Sequence, residues 1–211
     1  MKVKAGMTQN NPTIIGLTGG TGCGKTTVCS ILEKYNAYII DADKIAHSII
    51  EKGKKAYFEI IEYFGDNILN NEKQIDRKKL GNIVFSNKNE LIYLNNITHK
   101  YIIKDIKEKI DFAKREKTYD YIVIDAPLLI ETNLHKIVDN VWIVHCALKT
   151  RLDRLKKRDN LSEDILIKRI NSQTSFDENK KFADFIIFNE EGSNLDDIIK
   201  QQLIKQKKKE T

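Results

Sequence analysis

The sequence predicts an α/β fold in three layers, with a five-stranded parallel sheet between helices. Five short apolar runs, Thr13–Leu17, Ala37–Ile40, Tyr119–Asp125, Asn140–His145 and Phe185–Phe188, read as strands. Segments with helical spacing separate them, and that alternation builds a parallel sheet covered on both faces. The first run leads into Gly19–Thr27, GGTGCGKTT, which opens onto a helix pattern with Val28, Ile31 and Leu32.

Composition bounds the reading. The 211 residues, 41% hydrophobic and 31% charged, suit one globular domain with insertions. No apolar run approaches the ~20 residues of a membrane helix, so no membrane partner is expected. The start, MKVKAGMTQNNP, has no apolar signal region and reads as a flexible leader over residues 1–12. Cys23, Cys29 and Cys146 lack metal-ligand spacing, which points to reduced thiols in the cytoplasm. The net charge of +6 admits polyanionic small substrates as readily as nucleic acid. Its lysines are scattered without a basic-aromatic stripe, so no nucleic-acid partner is expected.

Taken in order, the first helix runs from Lys25 to about Tyr35. The second strand ends at Asp41. From Ala42 to Lys117 the spacing is helical throughout, an insertion between two strands. Gly53 and Gly65 bracket a helix over Lys54–Phe64. Asp76 heads a short helix, and Asn87 with Glu90 reads as a capping box for another. Ile102, Ile103, Ile106, Ile110 and Ala113 give one face of a long amphipathic helix that starts at His99. Pro127 keeps Ala126–Leu134 out of a central strand. Thr150 with Asp153, Ser175 with Glu178 and Ser193 with Asp196 read as capping boxes of three short helices. The expected parts are a core of 13–45, 118–149 and 183–206, an insertion of 46–117 and a lid of 150–182, all in one compact domain.

Gly19, Gly24, Lys25 and Thr26 satisfy the P-loop pattern G-x-x-x-x-G-K-[ST]. Its glycines let the backbone N–H groups of Gly19, Gly20, Thr21, Gly22, Cys23 and Gly24 curl around an anion. The helix start at Lys25, Thr26 and Thr27 adds its own N–H groups and positive dipole end. Lys25 is expected on the β- and γ-phosphates and the Thr26 hydroxyl on Mg²⁺. At Cys23 the backbone N–H is expected to act and the thiol to do no chemistry.

Ligands of parallel sheets sit beyond the carboxyl ends of the strands. Asp43, just past the second strand, is placed to accept a proton from an acceptor hydroxyl. Asp41 or Asp43 could equally cap the next helix. Asp125, ending the third strand, suits a Mg²⁺ carboxylate or a turn before Ala126-Pro127. Glu131 is a weaker candidate. Arg151, Arg154 and Arg158 share a helix face, as a phosphate-clamping lid or as a solvated basic surface. His99 is a candidate substrate contact or a structural histidine, and Trp142 is expected in the core.

These blocks together resemble the dephospho-CoA kinase family: GLTGGTGCGKTTV, IIDADKIAH, DRKKLGNIVF, ITHKYI, APLLIE, RLKKRD, RINSQ and ADFIIFN, from about Thr13 to Gly192. The resemblance implies a P-loop nucleotide-kinase-like fold, with ATP and Mg²⁺ at Gly22–Thr27 and dephospho-CoA received by the helical insertion. It implies Asp43 as the base, Arg154 and Arg158 in the lid, and Asn189 near the adenine. Cys23 and Thr26 stand where serine is usual in the family. His99-Lys100 stands where His-Pro is common, and Asn189-Glu190-Glu191-Gly192 replaces a shorter Asn-x-Gly.

The reaction expected is ATP-dependent phosphorylation of the 3′-hydroxyl of dephospho-CoA. Two alternatives remain beside it: another metabolite kinase of this architecture, and a P-loop switch protein. A switch needs a water-orienting glutamine, and Ala126-Pro127-Leu128-Leu129 stands in that position. The sequence leaves the oligomeric state open, a monomer included.

Overall fold

The computed structural model describes residues 11–209, so residues 1–10 of the expected leader lie outside it. Five strands form one sheet: β1 (Thr13–Gly19), β2 (Ala37–Asp41), β3 (Tyr121–Asp125), β4 (Asn140–His145) and β5 (Phe185–Phe188). Their order is β2-β3-β1-β4-β5 and all run parallel. The expected five-stranded α/β architecture is therefore the one observed. The helices are α1 (Lys25–Lys34), α2 (Ala42–Ser48), α3 (Lys55–Phe64), α4 (Arg77–Ser86), α5 (Lys88–Glu116), α6 (Leu148–Asp159), α7 (Glu163–Asn171), α8 (Phe176–Asn179) and α9 (Leu195–Lys209).

The chain divides into two units, one made of the segments up to Ile40 and from Phe112 onward, the other of Asp41–Asp111. In the first unit the strands are apolar on both faces because helices cover both. Ile15, Leu17, Val28, Leu32, Trp142, Ile187 and Ile199 are fully buried in one cluster, Trp142 among them as expected. Each such side chain contributes roughly 1.5–3 kcal/mol. β1 extends two residues past the expected Leu17, because Thr18 and Gly19 still pair with Ile143 and Val144 of β4. A Cβ on Gly19 would lie 2.3 Å from the Val144 carbonyl oxygen, so only glycine lets the two strands stay this close.

In the second unit Asp41 caps α2, its carboxylate accepting the Lys44 N–H at 2.8 Å. Asp76 caps α4 in the same way through Lys78 and Lys79. Gly65 ends α3 at φ 76, a left-handed position that favours glycine.

Four expectations are corrected. The long helix does not start at His99: α5 is continuous from Lys88, and His99 lies near its middle. Glu59 of α3 pairs with both Lys100 and Tyr101, which supports the helix where Asn95, Asn96 and Thr98 offer weak propensity. Asn87 does cap α5, through the Asn89 N–H at 3.0 Å, but Glu90 does not close a box; its charge acts on Tyr63, whose pKa desolvation and this charge raise. Thr150 with Asp153 is not a capping box, because α6 begins at Leu148, ahead of Thr150. Its start is capped from afar by Glu190, which accepts from the Ala147 N–H and the Thr150 hydroxyl.

The cap at α9 is shifted by one residue. Asn194 caps the helix, accepting the Asp197 N–H at 3.3 Å, and its Nδ2 donates to the Asp197 carboxylate, so no box closes, while Asp196 accepts the Tyr35 hydroxyl at 2.9 Å. Ser175 with Glu178 is a full capping box, as expected, though it heads only a four-residue helix. The helix α7 has no counterpart among the expected elements.

Candidate active site

The phosphate loop begins where β1 ends. Gly19 closes the strand, Gly20–Cys23 form the turn, and Gly24 is the N-cap of α1 at φ 93. A Cβ on Gly24 would sit 2.3 Å from the Asn189 Nδ2, so space and dihedral angle both require glycine there. Lys25, Thr26 and Thr27 make the first turn of α1, where helix N–H groups have no partner within the helix. The Lys25 ammonium donates to the Gly19 carbonyl at 2.9 Å, spanning the loop. Thr26 is exposed at the helix start. The Cys23 N–H, expected to face a phosphate, donates to the Gly20 carbonyl at 3.1 Å and shapes the turn.

Three groups from distant parts of the chain hold this loop. Asn189, buried at the end of β5, donates through Nδ2 to the Cys23 carbonyl at 2.8 Å. Arg151 of α6 donates through Nε to the Thr21 carbonyl at 3.0 Å. Gln173, just past α7, accepts at Oε1 from both the Thr21 N–H (2.9 Å) and Arg151 Nη2 (3.1 Å). Thr21, Arg151 and Gln173 thus make a closed set of three contacts. Gln173 and Glu190 carried no role in the sequence reading. The only signal for Gln173 was its place in the RINSQ block.

The three arginines of α6 do not share one environment. Arg154 points the same way as Arg151, with Nη2 3.4 Å from Asn189 Oδ1 and Nη1 3.7 Å from Cys146 Sγ. Arg158 is more exposed and pairs with Asp159 at 2.6 Å, which Arg169 also meets at 3.0 Å.

Asp125 ends β3 in register with Leu17 of β1, so the sheet sets it beside the strand that feeds the loop. It interacts with the Cys29 thiol of α1, whose ionisation burial and this carboxylate both oppose. A cavity of about 50 Å³ lies next to the loop, bordered by Thr18, Gly20, Cys23, Glu131, Arg151 and Phe176. His145, at the end of β4, stacks on Phe176 at 3.9 Å between ring centroids. Burial, followed by the nearby Arg151 charge, lowers its pKa and favours the neutral ring.

In the second unit, Asp43 is the second residue of α2, exposed in the helix's first turn. His99 is half-buried in α5, and burial favours its neutral form.

Among the described residues no three His, Cys, Asp or Glu side chains cluster as a metal cage. The Thr26 hydroxyl and the Asp125 carboxylate are hard oxygen donors. That sparse set fits Mg²⁺, which keeps several waters and is held largely by substrate phosphates. No helix among the described residues is long and apolar enough to cross a membrane.

A parallel sheet of this order, with a phosphate loop after its central strand and arginines aimed back at that loop, defines a P-loop kinase. The family model for dephospho-CoA kinase (CoaE) matches residues 13–196. A dephospho-CoA kinase of Carboxydothermus hydrogenoformans is 45% identical over 176 residues, 83% of this chain and 85% of that protein. The solved dephospho-CoA kinase of Campylobacter jejuni is 30% identical, with a TM-score of 0.59 over 92% of this chain and 98% of that one. A Thermus thermophilus crystal structure, 24% identical, shares the fold at a TM-score of 0.78 over 93% of this chain and 98% of that one. The chain belongs to the dephospho-CoA kinase family, whose reaction is the final step of coenzyme A biosynthesis, with ATP as phosphoryl donor.

Proposed function

We propose that this chain transfers the γ-phosphoryl group of ATP to the ribose 3′-hydroxyl of dephospho-CoA. The observation that carries the proposal is the phosphate loop, held by Thr21, Arg151, Gln173 and Asn189, in a chain of this family.

In this reading loop amides between Gly19 and Thr26 bind the phosphates, those of Thr21 and Cys23 being spent on Gln173 and Gly20, and Lys25 leaves Gly19 to reach the β- and γ-phosphates. Asn189 lies toward the adenine. Thr26 and Asp125 would hold Mg²⁺, which when bound neutralises phosphate charge. Asp43 accepts the proton of the attacking 3′-hydroxyl and orients its oxygen. Arg151 and Arg154 stabilise the charge that spreads over the transferring group, and Arg158, engaged with Asp159, adds a smaller share. Little covalent work falls to the protein, so positioning and charge are its main contributions.

The insertion of 46–117 receives the acceptor, His99 included. The segment 150–182 closes as a lid that excludes water and so limits ATP hydrolysis. The enzyme works in the cytoplasm on a small-molecule substrate and without nucleic acid. Three free cysteines suit a reducing compartment.

Acceptor dependence tests the reading. Dephospho-CoA should stimulate ADP release strongly, and AMP or shikimate should not. ADP release indifferent to all three would remove the kinase assignment and favour a nucleotide switch.

A further inference from the structure

Cys23 and Cys146 lie in one buried cluster behind the phosphate loop. Cys23 belongs to the loop itself and Cys146 follows the last residue of β4, and each is only 1% exposed. The Cys146 thiol lies against the carbonyl of Gly22, the residue before Cys23, and acts on the Cys23 sulfur. Cys146 Sγ lies 3.9 Å from that carbonyl oxygen and 3.7 Å from Arg154 Nη1.

The two thiols differ in character. The neighbouring Cys146, with the charges of Arg151 and Lys25, lowers the Cys23 pKa against the opposing effect of burial. Proximity to Cys23 and burial keep Cys146 protonated. An attacking thiolate beside a resolving thiol is the arrangement of reactive cysteine pairs. Access comes from the small cavity that Cys23 borders. Cys29, the third cysteine, is buried in α1 and held as a thiol by burial and by Asp125.

We propose that Cys23 and Cys146 form an oxidative modification site, which a hydroperoxide converts to a disulfide that disables the phosphate loop. The Cys23 thiolate attacks one peroxide oxygen, the O–O bond breaks, and the alkoxide or hydroxide leaves and takes a proton. The Cys23 sulfenic acid then reacts with the Cys146 sulfur. An S–S bond forms, the S–O bond breaks, and water leaves. Both sulfurs are oxidised and the peroxide is reduced. A thiol reductant reverses the step by exchange.

The consequence for the loop follows from dimensions. An S–S bond of ~2.05 Å is shorter than any non-bonded contact between two sulfurs. Bond formation therefore draws Cys23 toward β4. The loop has little room to comply, since a Cβ on Gly22 would already stand 3.0 Å from Leu155 and 3.2 Å from the Arg151 carbonyl. The displacement falls on the amides that cradle phosphate.

The test uses the reduced full chain exposed to hydrogen peroxide with and without ATP, then alkylated, digested with trypsin and mapped by mass. Lys25 separates Cys23 from Cys29, and Lys136 and Lys149 flank Cys146, so each cysteine falls in its own peptide. The expected product is a Cys23–Cys146 peptide pair lacking two hydrogens. Nucleotide binding should weaken by about ten-fold or more in step with it. Dithiothreitol should restore binding, and bound ATP should slow the cross-link.

In Cys146→Ser the cross-link should be absent and dimedone should trap Cys23 as the sulfenic acid. Both thiols remaining alkylatable, a link through Cys29, or a cross-link that leaves nucleotide binding unchanged would each overturn the proposal. If Cys146→Ser does not fold, the wild-type peptide map alone decides. Neither readout uses dephospho-CoA turnover, so this test stands or fails separately from the proposed reaction.

Discussion

Arg151 and Thr21 stand 130 positions apart and share a 3.0 Å hydrogen bond, from the arginine Nε–H to the threonine carbonyl. Gln173 closes the set by accepting from both. The helix α6 is thereby tied to the turn of the phosphate loop. Such preorganisation lowers the ordering cost when phosphate binds.

The tie predicts a graded series at Gln173. Gln173→Ala should raise the KM for ATP by about ten-fold, the cost of ~1–1.5 kcal/mol for a lost hydrogen-bonding partner. Gln173→Glu keeps an acceptor for Arg151 and should recover most of the loss. Steady-state kinetics with varied ATP decides. Equal defects in both variants would mean that Gln173 only fills space.

Arg154 and Arg158 should separate on mutation. Arg154 faces Asn189 and the loop, whereas Arg158 is engaged with Asp159. Arg154→Ala should lower kcat by about 10²-fold, within the range for a lost charge-stabilising donor. Arg158→Ala should cost less than about ten-fold, as expected for an exposed ion pair. The reverse order, read from kcat at saturating substrates, would place the lid's phosphate contact at Arg158.

Asp43→Asn tests the proton acceptor. The prediction is a fall in kcat of about 10²–10⁴-fold with ATP affinity nearly unchanged. A matched loss of both would identify Asp43 as a ground-state contact. Asp41→Asn should act mainly on stability, because Asp41 caps α2 and a cap contributes ~1 kcal/mol.

Glu190 carries a pH prediction. The Thr150 hydroxyl, then the Ala147 N–H, hold its pKa below the usual glutamate value. A depressed folded pKa means that the unfolded chain takes up the proton first as pH falls. The stability from this contact is present above the ordinary glutamate range and is lost as pH drops through the lowered value. Thr150→Val removes the larger cause. The Glu190 pKa should then rise toward the ordinary glutamate value, and the loss of Tm on acidification should become smaller. Carboxyl NMR titration and melting at graded pH measure both.

The legible parts of the fold were local. Gly19, Gly24, Lys25 and Thr26 declare the loop because its geometry needs those residue types at fixed spacing. The strands declared themselves as apolar runs too short for helices. Ser175 and Glu178 specified their box within four residues. The parts that failed depended on distant residues. Thr150 looked like a cap until Glu190, from after β5, took that role. Ser193-Asp196 and Asn194-Asp197 are overlapping boxes of equal merit in sequence, and Tyr35 engages Asp196. His99 looked like a helix start because Glu59, which pairs with Lys100 and Tyr101, lies on another helix. Arg151 was visible as a charge on a helix face, but its hold on Thr21 was not. Spacing reports neighbours along one element and carries nothing about partners across the sheet.

The most direct measurement is the identity of the product. The chain is incubated with ATP–Mg²⁺ and dephospho-CoA, ADP is quantified, and the acceptor is examined by mass and phosphorus NMR. The predicted result is one ADP for each acceptor that gains a single phosphoryl group, with that group on the ribose 3′-oxygen. ADP formed without a phosphorylated acceptor, or a phosphoryl group on another hydroxyl, would contradict it.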